Sequence, residues 1–310
     1  MPSQTFFSRP LSVFFFATLC TMLWGSAYPA IKTGYLLLAI DKQDIPSQMI
    51  FAGQRFFLAG VILLAIALVT RRPKAHFSLN QWKQIATLGL TQTCFQYIFF
   101  YIGVAYASGV KASILNATGT FFSVILAHFI YKNERITQRK FMGCFVGFAG
   151  VFIVNFNQSL FDFQFSLHGE GAVMFAAFIL AAASIYGKKI SQGIDAMQMT
   201  AWQLAIGGLV LFIIGLIAGG KSGEYTIHSF MLLIYLALLS SAAFALWSVL
   251  LKHNPVGTVT IFNFLIPVFG SLLSALFLGE TILAWKNLIA LVCVCCGIYL
   301  VTRTKKSPAI

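Results

Sequence analysis

Lys111 to Lys140 reads KASILNATGTFFSVILAHFIYKNERITQRK, and Gly257 to Lys286 reads GTVTIFNFLIPVFGSLLSALFLGETILAWK. A shift of 146 positions lays the first on the second, placing Glu134 on Glu280, Lys140 on Lys286 and Leu126 on Leu272. Each copy is an apolar run of helix length, a short polar joint with one Glu, and a second apolar run. At nearly the same offset Met49, Arg55 and Gly60 fall on Met197, Gln203 and Gly208, and Ser26 and Tyr28 on Ser184 and Tyr186. The chain therefore reads as one unit of about five helices written twice.

Composition names the solvent. Of the 310 residues 59% are hydrophobic and 9% charged, far from the balance of a soluble domain. A hydrocarbon core of about 30 Å takes about 20 largely uncharged residues per helical crossing. Barrel strands would alternate over about ten residues, and these runs do not. In order they are Leu11 to Leu38, Ser47 to Val69, Gln84 to Tyr106, Gly109 to Tyr131, Phe141 to Phe156, Gly169 to Tyr186, Met197 to Ala218, Phe230 to Leu251, Val256 to Leu278 and Leu283 to Val301. Arg71-Arg72-Pro73, Asn133-Glu134, Gly219-Gly220 and His253-Asn254-Pro255 punctuate their ends. Arg9 followed by an apolar run and Gly25-Ser26-Ala27 imitates a cleaved leader, but its removal would strip Ser184-Ile185-Tyr186 of its twin. The expectation is an all-α membrane protein of ten transmembrane helices in two inverted five-helix repeats, 11–156 and 169–302, with short tails at 1–10 and 303–310.

Charge sets the orientation. With the amino terminus inside, Arg9, Arg71, Arg72, Lys132, Arg135, Lys188, Lys189, Lys252 and Arg303 face the cytoplasm, while Lys42, Lys111, Lys221 and Lys286 lie outside. Cytoplasmic enrichment of Lys and Arg predicts that both termini are inside. An odd number of helices per repeat turns the second copy upside down, the architecture of carriers that rock about a central site. The net charge of +13 belongs to loops facing anionic lipid and comes with no nucleic-acid reader motif. The partners implied are a lipid bilayer and a small-molecule substrate, with no obligate protein partner and no nucleic acid.

Trp24-Gly25-Ser26-Ala27-Tyr28-Pro29-Ala30-Ile31-Lys32, Arg55 in the second run, and Pro267 followed by Gly279-Glu280 resemble the EamA-type drug/metabolite transporters over nearly the whole chain. The resemblance implies ten helices, cytoplasmic termini, a bacterial inner membrane and export or exchange of small metabolites, often amino acids. The first repeat departs from the second, with Phe121 in place of Pro267 and Asn133-Glu134 in place of Gly279-Glu280.

Arg55 is the sharpest substrate-binding candidate, because a guanidinium within a span costs several kcal/mol unless it faces protein, water or a partner. It is suited to a bidentate grip on a carboxylate, or to a structural bond with carbonyls or Gln203. Lys32 has a stem long enough to snorkel outward. Gln54, Trp202 and Gln203, then Gln92, Gln96 and Tyr97, then Asn116, Thr118 and Asn263, together with the rings of Trp24, Tyr28, Tyr186 and Trp247, would complete a polar cavity. Taken singly, each amide equally serves as a bond between helices.

No metal or cofactor is implied. Cys20, Cys94, Cys144, Cys293, Cys295 and Cys296 lie in apolar runs without motif spacing, and the histidines are scattered. The spans carry no mid-helix carboxylate for proton-coupled export of lipophilic cations, and the chain has no phosphate loop for an ATP motor. Nor do they converge the groups an intramembrane enzyme would need. A secondary-active exporter or exchanger of amino acids or other zwitterionic or anionic solutes follows; a passive channel or an exporter of lipophilic drugs is the alternative.

Overall fold

The computed structural model describes residues 6–70, 77–107, 109–156, 165–278 and 284–302. All regular structure among them is helical. The helices are α1 (Pro10–Leu37), α2 (Ile45–Val69), α3 (Leu79–Tyr106), α4 (Lys111–Ile130), α5 (Gln138–Val154), α6 (Leu167–Ile190), α7 (Ala196–Ile217), α8 (Ile227–His253), α9 (Val256–Phe277) and α10 (Ala284–Thr302). Eight of them, α1 to α4 and α6 to α9, are long and apolar enough to cross a bilayer. Their outer faces carry Phe15, Leu68, Phe129, Ile217 and Leu276, all at least 60% exposed. So much large apolar surface suits acyl chains as neighbours rather than water.

Helix starts lie a few residues ahead of the apolar runs because polar caps recruit a polar first turn. Ser78 and Gln81 form a reciprocal capping box before α3, and Thr226 and Ser229 form another before α8. Asp44 accepts from the Ser47 amide at 3.1 Å ahead of α2, and Thr137 caps α5. Hydropathy alone overlooks such turns. The narrow joint expected between the third and fourth runs is present, with α3 ending at Tyr106 and the next helix opening at Gly109. Arg71-Arg72-Pro73 and Gly279-Glu280 lie outside the described residues.

Small residues decide which helices approach most closely. α2 packs on α7 through Gly53 against Phe212, Gly60 against Ala205 and Gly208 against Phe57, so residue numbers rise on one helix as they fall on the other. The two are antiparallel. α5 and α10 form a second antiparallel pair, with Gly143 against Val301 and Gly150 against Ala290. α1 packs on α8 and α9, while α6 packs on α3 and α4. Dispersion between closely approached backbones is the main attraction available where lipid is as apolar as the helix. A Cβ placed on Gly60 would stand 2.5 Å from the Ala205 nitrogen and 2.6 Å from the Ala201 oxygen. Gly60→Val is therefore expected to cost about 1–3 kcal/mol of stability by overpacking, and Leu68→Ala on the outer face much less; melting curves in detergent compare them.

Two helices are interrupted at mid-length. α4 breaks at Thr118, between Gly109–Ala117 and Gly119–Ile130, and Thr118 turns its hydroxyl back to donate to the Leu115 carbonyl at 2.5 Å. α9 passes from Val256–Thr260 through a 3₁₀ turn, Ile261–Phe264, into Leu265–Leu278. Shifted by 146, Ala117 and Thr118 fall on Asn263 and Phe264, so both breaks occur at the same place in the repeated sequence. α3 contains a wide π turn, Leu90–Phe95, immediately ahead of Gln96 and Tyr97. α1 carries Pro29, which cannot donate to the Gly25 carbonyl one turn earlier.

Candidate functional site

Arg55 stands within two residues of the midpoint of α2 and is 3% exposed. Its guanidinium carbon lies 4.2 Å from the Phe56 ring centroid and 5.7 Å from that of Tyr97. Tyr35 and Tyr101 are within electrostatic reach of the same group. Ring faces in a dry site are worth about 2 kcal/mol to a cation, which offsets part of the burial cost. The Arg55 Nε has no hydrogen-bond partner, and the ion pairs among the described residues, Lys111–Glu170 and Lys188–Glu134, do not involve it.

Other polar atoms around the interior are equally unanswered. The Gln96 Oε1, Asn116 Oδ1 and Asn263 Oδ1 are buried without partners, and the Tyr35 hydroxyl lacks one of normal geometry although Tyr101 approaches it. Buried polar groups in folded proteins are almost always bonded, so each open one is a point where water or a ligand can bond. Aromatic rings frame the interior. Trp24 packs against three separate apolar clusters, touching Trp247 at 5.0 Å and Phe244 at 5.4 Å between centroids. Phe244 meets Phe56 at 6.0 Å, and Phe56 meets Tyr97 at 4.6 Å. These contacts join α8, α1, α2 and α3 in one line. Tyr28 keeps 39% of its surface open while facing Gly270 on α9 and lying within electrostatic reach of Tyr97 on α3, so its exposure is toward the interior.

The remaining candidates divide. Gln203 does not reach Arg55; its Oε1 accepts from the Thr93 hydroxyl at 3.1 Å, joining α7 to α3. Gln54 faces away from its neighbour, donating to the Ser222 hydroxyl at 3.0 Å and accepting from Tyr225, which pins the segment after α7 onto α2. Trp202 and Tyr186 belong to a separate apolar cluster with Ile85 and Leu88, where Trp202 meets Trp82 at 4.9 Å. Lys32 is exposed near the end of α1, and Gln92 is half-buried inside the π turn. Thr118 serves its own helix break. The structure thus gathers Arg55, Tyr97, Tyr28, Trp24 and Trp247 from the sequence candidates, buries Gln96 on α3, and places Asn116 and Asn263 at the two breaks.

Tyr35 and Tyr101 were not among those candidates. A signal existed: Tyr101 follows Tyr97 by four residues and Tyr35 follows Tyr28 by seven, each pair one helical face.

A bundle of apolar helices enclosing a buried guanidinium with an unbonded Nε, and amides with unbonded oxygens, defines a multi-pass membrane protein with internal polar groups. The chain belongs to the EamA-like transporter family, whose model matches residues 11–156 and again residues 167–303. It is 28% identical over 286 residues to the uncharacterized transporter YoaV of Bacillus subtilis, covering 92% of this chain and 94% of that one. It is 26% identical over 298 residues to a probable amino-acid metabolite efflux pump of Salmonella typhimurium, covering 92% and 93%. A solved crystal structure superposes with a TM-score of 0.75 at 17% identity, over 94% of this chain and 98% of the other, which shows the shared fold.

Proposed function

We propose that this transporter is a secondary-active carrier that exports or exchanges small zwitterionic or anionic metabolites, amino acids among them, by alternating access at the Arg55 site. The observation that carries the reading is a buried guanidinium at mid-helix with an unbonded Nε and no carboxylate partner among the described residues. A fixed positive group with open amides suits a carboxylate far better than a cation. The Salmonella relative's description as an amino-acid metabolite efflux pump agrees with that solute class.

Ten spans in two inverted repeats fit the packing. Twin helices pair antiparallel, α2 with α7 and α5 with α10, as inversion requires. The contact of Gly60 with Ala205 has its image, at an offset of 148, in that of Gly208 with Phe57. The packing of α1 on α8 and α9 is likewise the counterpart of α6 on α3 and α4. Broken helices at equivalent positions are what such carriers use to build a central site. The bilayer is a bacterial inner membrane with both termini cytoplasmic, and the face bearing the start of α1 is then the inner one.

Purified protein challenged with amino acids, carboxylates and lipophilic cations tests this by thermal stabilisation. A ligand at a hundred times its dissociation constant adds about 2.7 kcal/mol. Stabilisation by an anionic or zwitterionic solute, followed by trans-stimulated exchange of that solute in vesicles, is the expected result. A lipophilic cation as the sole stabiliser would favour drug export, and flux without trans-stimulation would favour a pore.

A further inference from the structure

We infer that the two helix breaks form a second half of the substrate site, in which Asn116 and Asn263 accept hydrogen bonds from a substrate ammonium group while Arg55 holds the carboxylate. The inference rests on the Arg55 reading and narrows it to α-amino acids and close analogues.

The argument begins with register. The Thr120 hydroxyl donates to the Thr260 carbonyl at 3.3 Å, and Phe121 meets Phe264 at 6.1 Å between centroids. Nearer the cytoplasmic end, Gly257 faces Val124. From Val124–Gly257 to Thr120–Thr260 the numbers fall on α4 as they rise on α9, so the helices run antiparallel, with the Phe121 ring reaching on toward Phe264. Asn116 precedes Thr120 by four residues across the break at Thr118, about one turn further along α4. Asn263 lies in the 3₁₀ turn Ile261–Phe264, three residues after Thr260 and about one turn further along α9. Both amides therefore lie at one level, a turn beyond the Thr120–Thr260 bond and away from the cytoplasmic end. Val256–Thr260 packs against Gly119–Ile130 on the cytoplasmic side of that bond.

Chemistry then selects the ligand. Each amide leaves its carbonyl oxygen, an acceptor, buried and unbonded. The Gln96 Oε1 near Tyr97 is a third such acceptor. Open acceptors call for a donor, and an ammonium group offers three. The unbonded amide oxygens thus lie on α3, α4 and α9, the cation on α2, and the unbonded Tyr35 hydroxyl on α1. Trp24 packs against both the cluster holding Phe56 and Tyr97 and the cluster holding Ala117 and Phe264, which gives an amino-acid side chain an aromatic wall between the two ends.

The test uses the twenty common L-amino acids as probes on the full chain in detergent. For each one that stabilises, its des-amino acid and its decarboxylated amine are measured in wild type, Asn116→Leu, Asn263→Leu and Arg55→Gln, with sodium chloride alone as a further probe. Wild type is expected to prefer the amino acid over the des-amino acid at least about tenfold, the net worth of hydrogen bonds to a charged group. Either asparagine variant should shrink that preference to less than threefold while leaving des-amino acid binding unchanged. Equal wild-type affinity for both compounds overturns the ammonium subsite without needing a folded variant, and it leaves the Arg55 reading standing if Arg55→Gln loses both. Binding that survives Arg55→Gln overturns the underlying reading instead. Stabilisation by sodium alone, lost in the asparagine variants, would assign the oxygens to a metal ion, and no response to any amino acid would also refute the proposal.

Discussion

Arg55→Gln is expected to weaken substrate binding about 10- to 100-fold and to raise the melting temperature of the ligand-free protein. The two effects have one cause. A hydrogen bond to a charged group contributes about 1.5–3 kcal/mol, and each 1.4 kcal/mol is tenfold in affinity, so loss of the guanidinium grip falls in that range. In the absence of ligand, the same guanidinium is buried at mid-span with its Nε unbonded and Phe56 and Tyr97 as its cation–π neighbours. A charge in that position is a standing cost, and a neutral side chain of similar length removes it. Gains in stability that cost function are the usual signature of a binding group held ready for its ligand.

Arg55→Lys separates charge from shape. A lysine ammonium is a point charge without the planar fork, so partial binding with a weakened preference for carboxylates is expected. Melting in detergent and equilibrium binding of the stabilising amino acid measure both properties on the same samples. A fall of several degrees in the ligand-free protein with unchanged binding would make Arg55 a structural strut and sink the assignment.

The membrane class and the buried place of Arg55 could be read from sequence because each is a local chemical anomaly: a long apolar run, and a cation where none should be. Neighbourhood could not. Gln203 and Arg55 are sequence twins, and twinning suggested a bond between them. Antiparallel packing of α2 on α7 instead sets Ala205 against Gly60 and leaves Gln203 to Thr93 on a third helix. Trp202 and Tyr186 had the right chemistry for a cavity wall, yet they face Ile85 and Leu88 because the α3–α7 approach through Gly89 turns that side outward. The breaks in α4 and α9 were invisible for another reason: Asn116 and Asn263 sit in unbroken apolar runs, and only the backbone shows the helix interrupted beside them.

Glu134→Gln is expected to lower stability by up to about 3–5 kcal/mol, the cost of leaving one member of a buried ion pair alone, and to loosen the face proposed as cytoplasmic. Lys188 donates to the Glu134 Oε1 and to the Asn254 carbonyl, each at 2.7 Å, and lies 4.8 Å from the Tyr131 ring centroid. The other Glu134 oxygen accepts from the Gly257 amide at 3.4 Å, and Asn254 reaches on to the Phe7 carbonyl at 2.8 Å. Glu134 and Tyr131 come from the first half of the chain, and Lys188, Asn254 and Gly257 from the second. The cluster therefore fastens the halves together at one face, where the proposed alternating access would have them part. Lys188→Met should act in the same direction, and combining it with Glu134→Leu should recover part of the loss, because the pair is then replaced by apolar contact rather than broken. Hydrogen exchange across residues 250–260 reads the effect directly, with faster exchange expected in each single variant and slower exchange restored in the double. If the single variants melt and exchange as wild type does, this pair carries no closing force, and the inner gate must be sought elsewhere along α4 and α9.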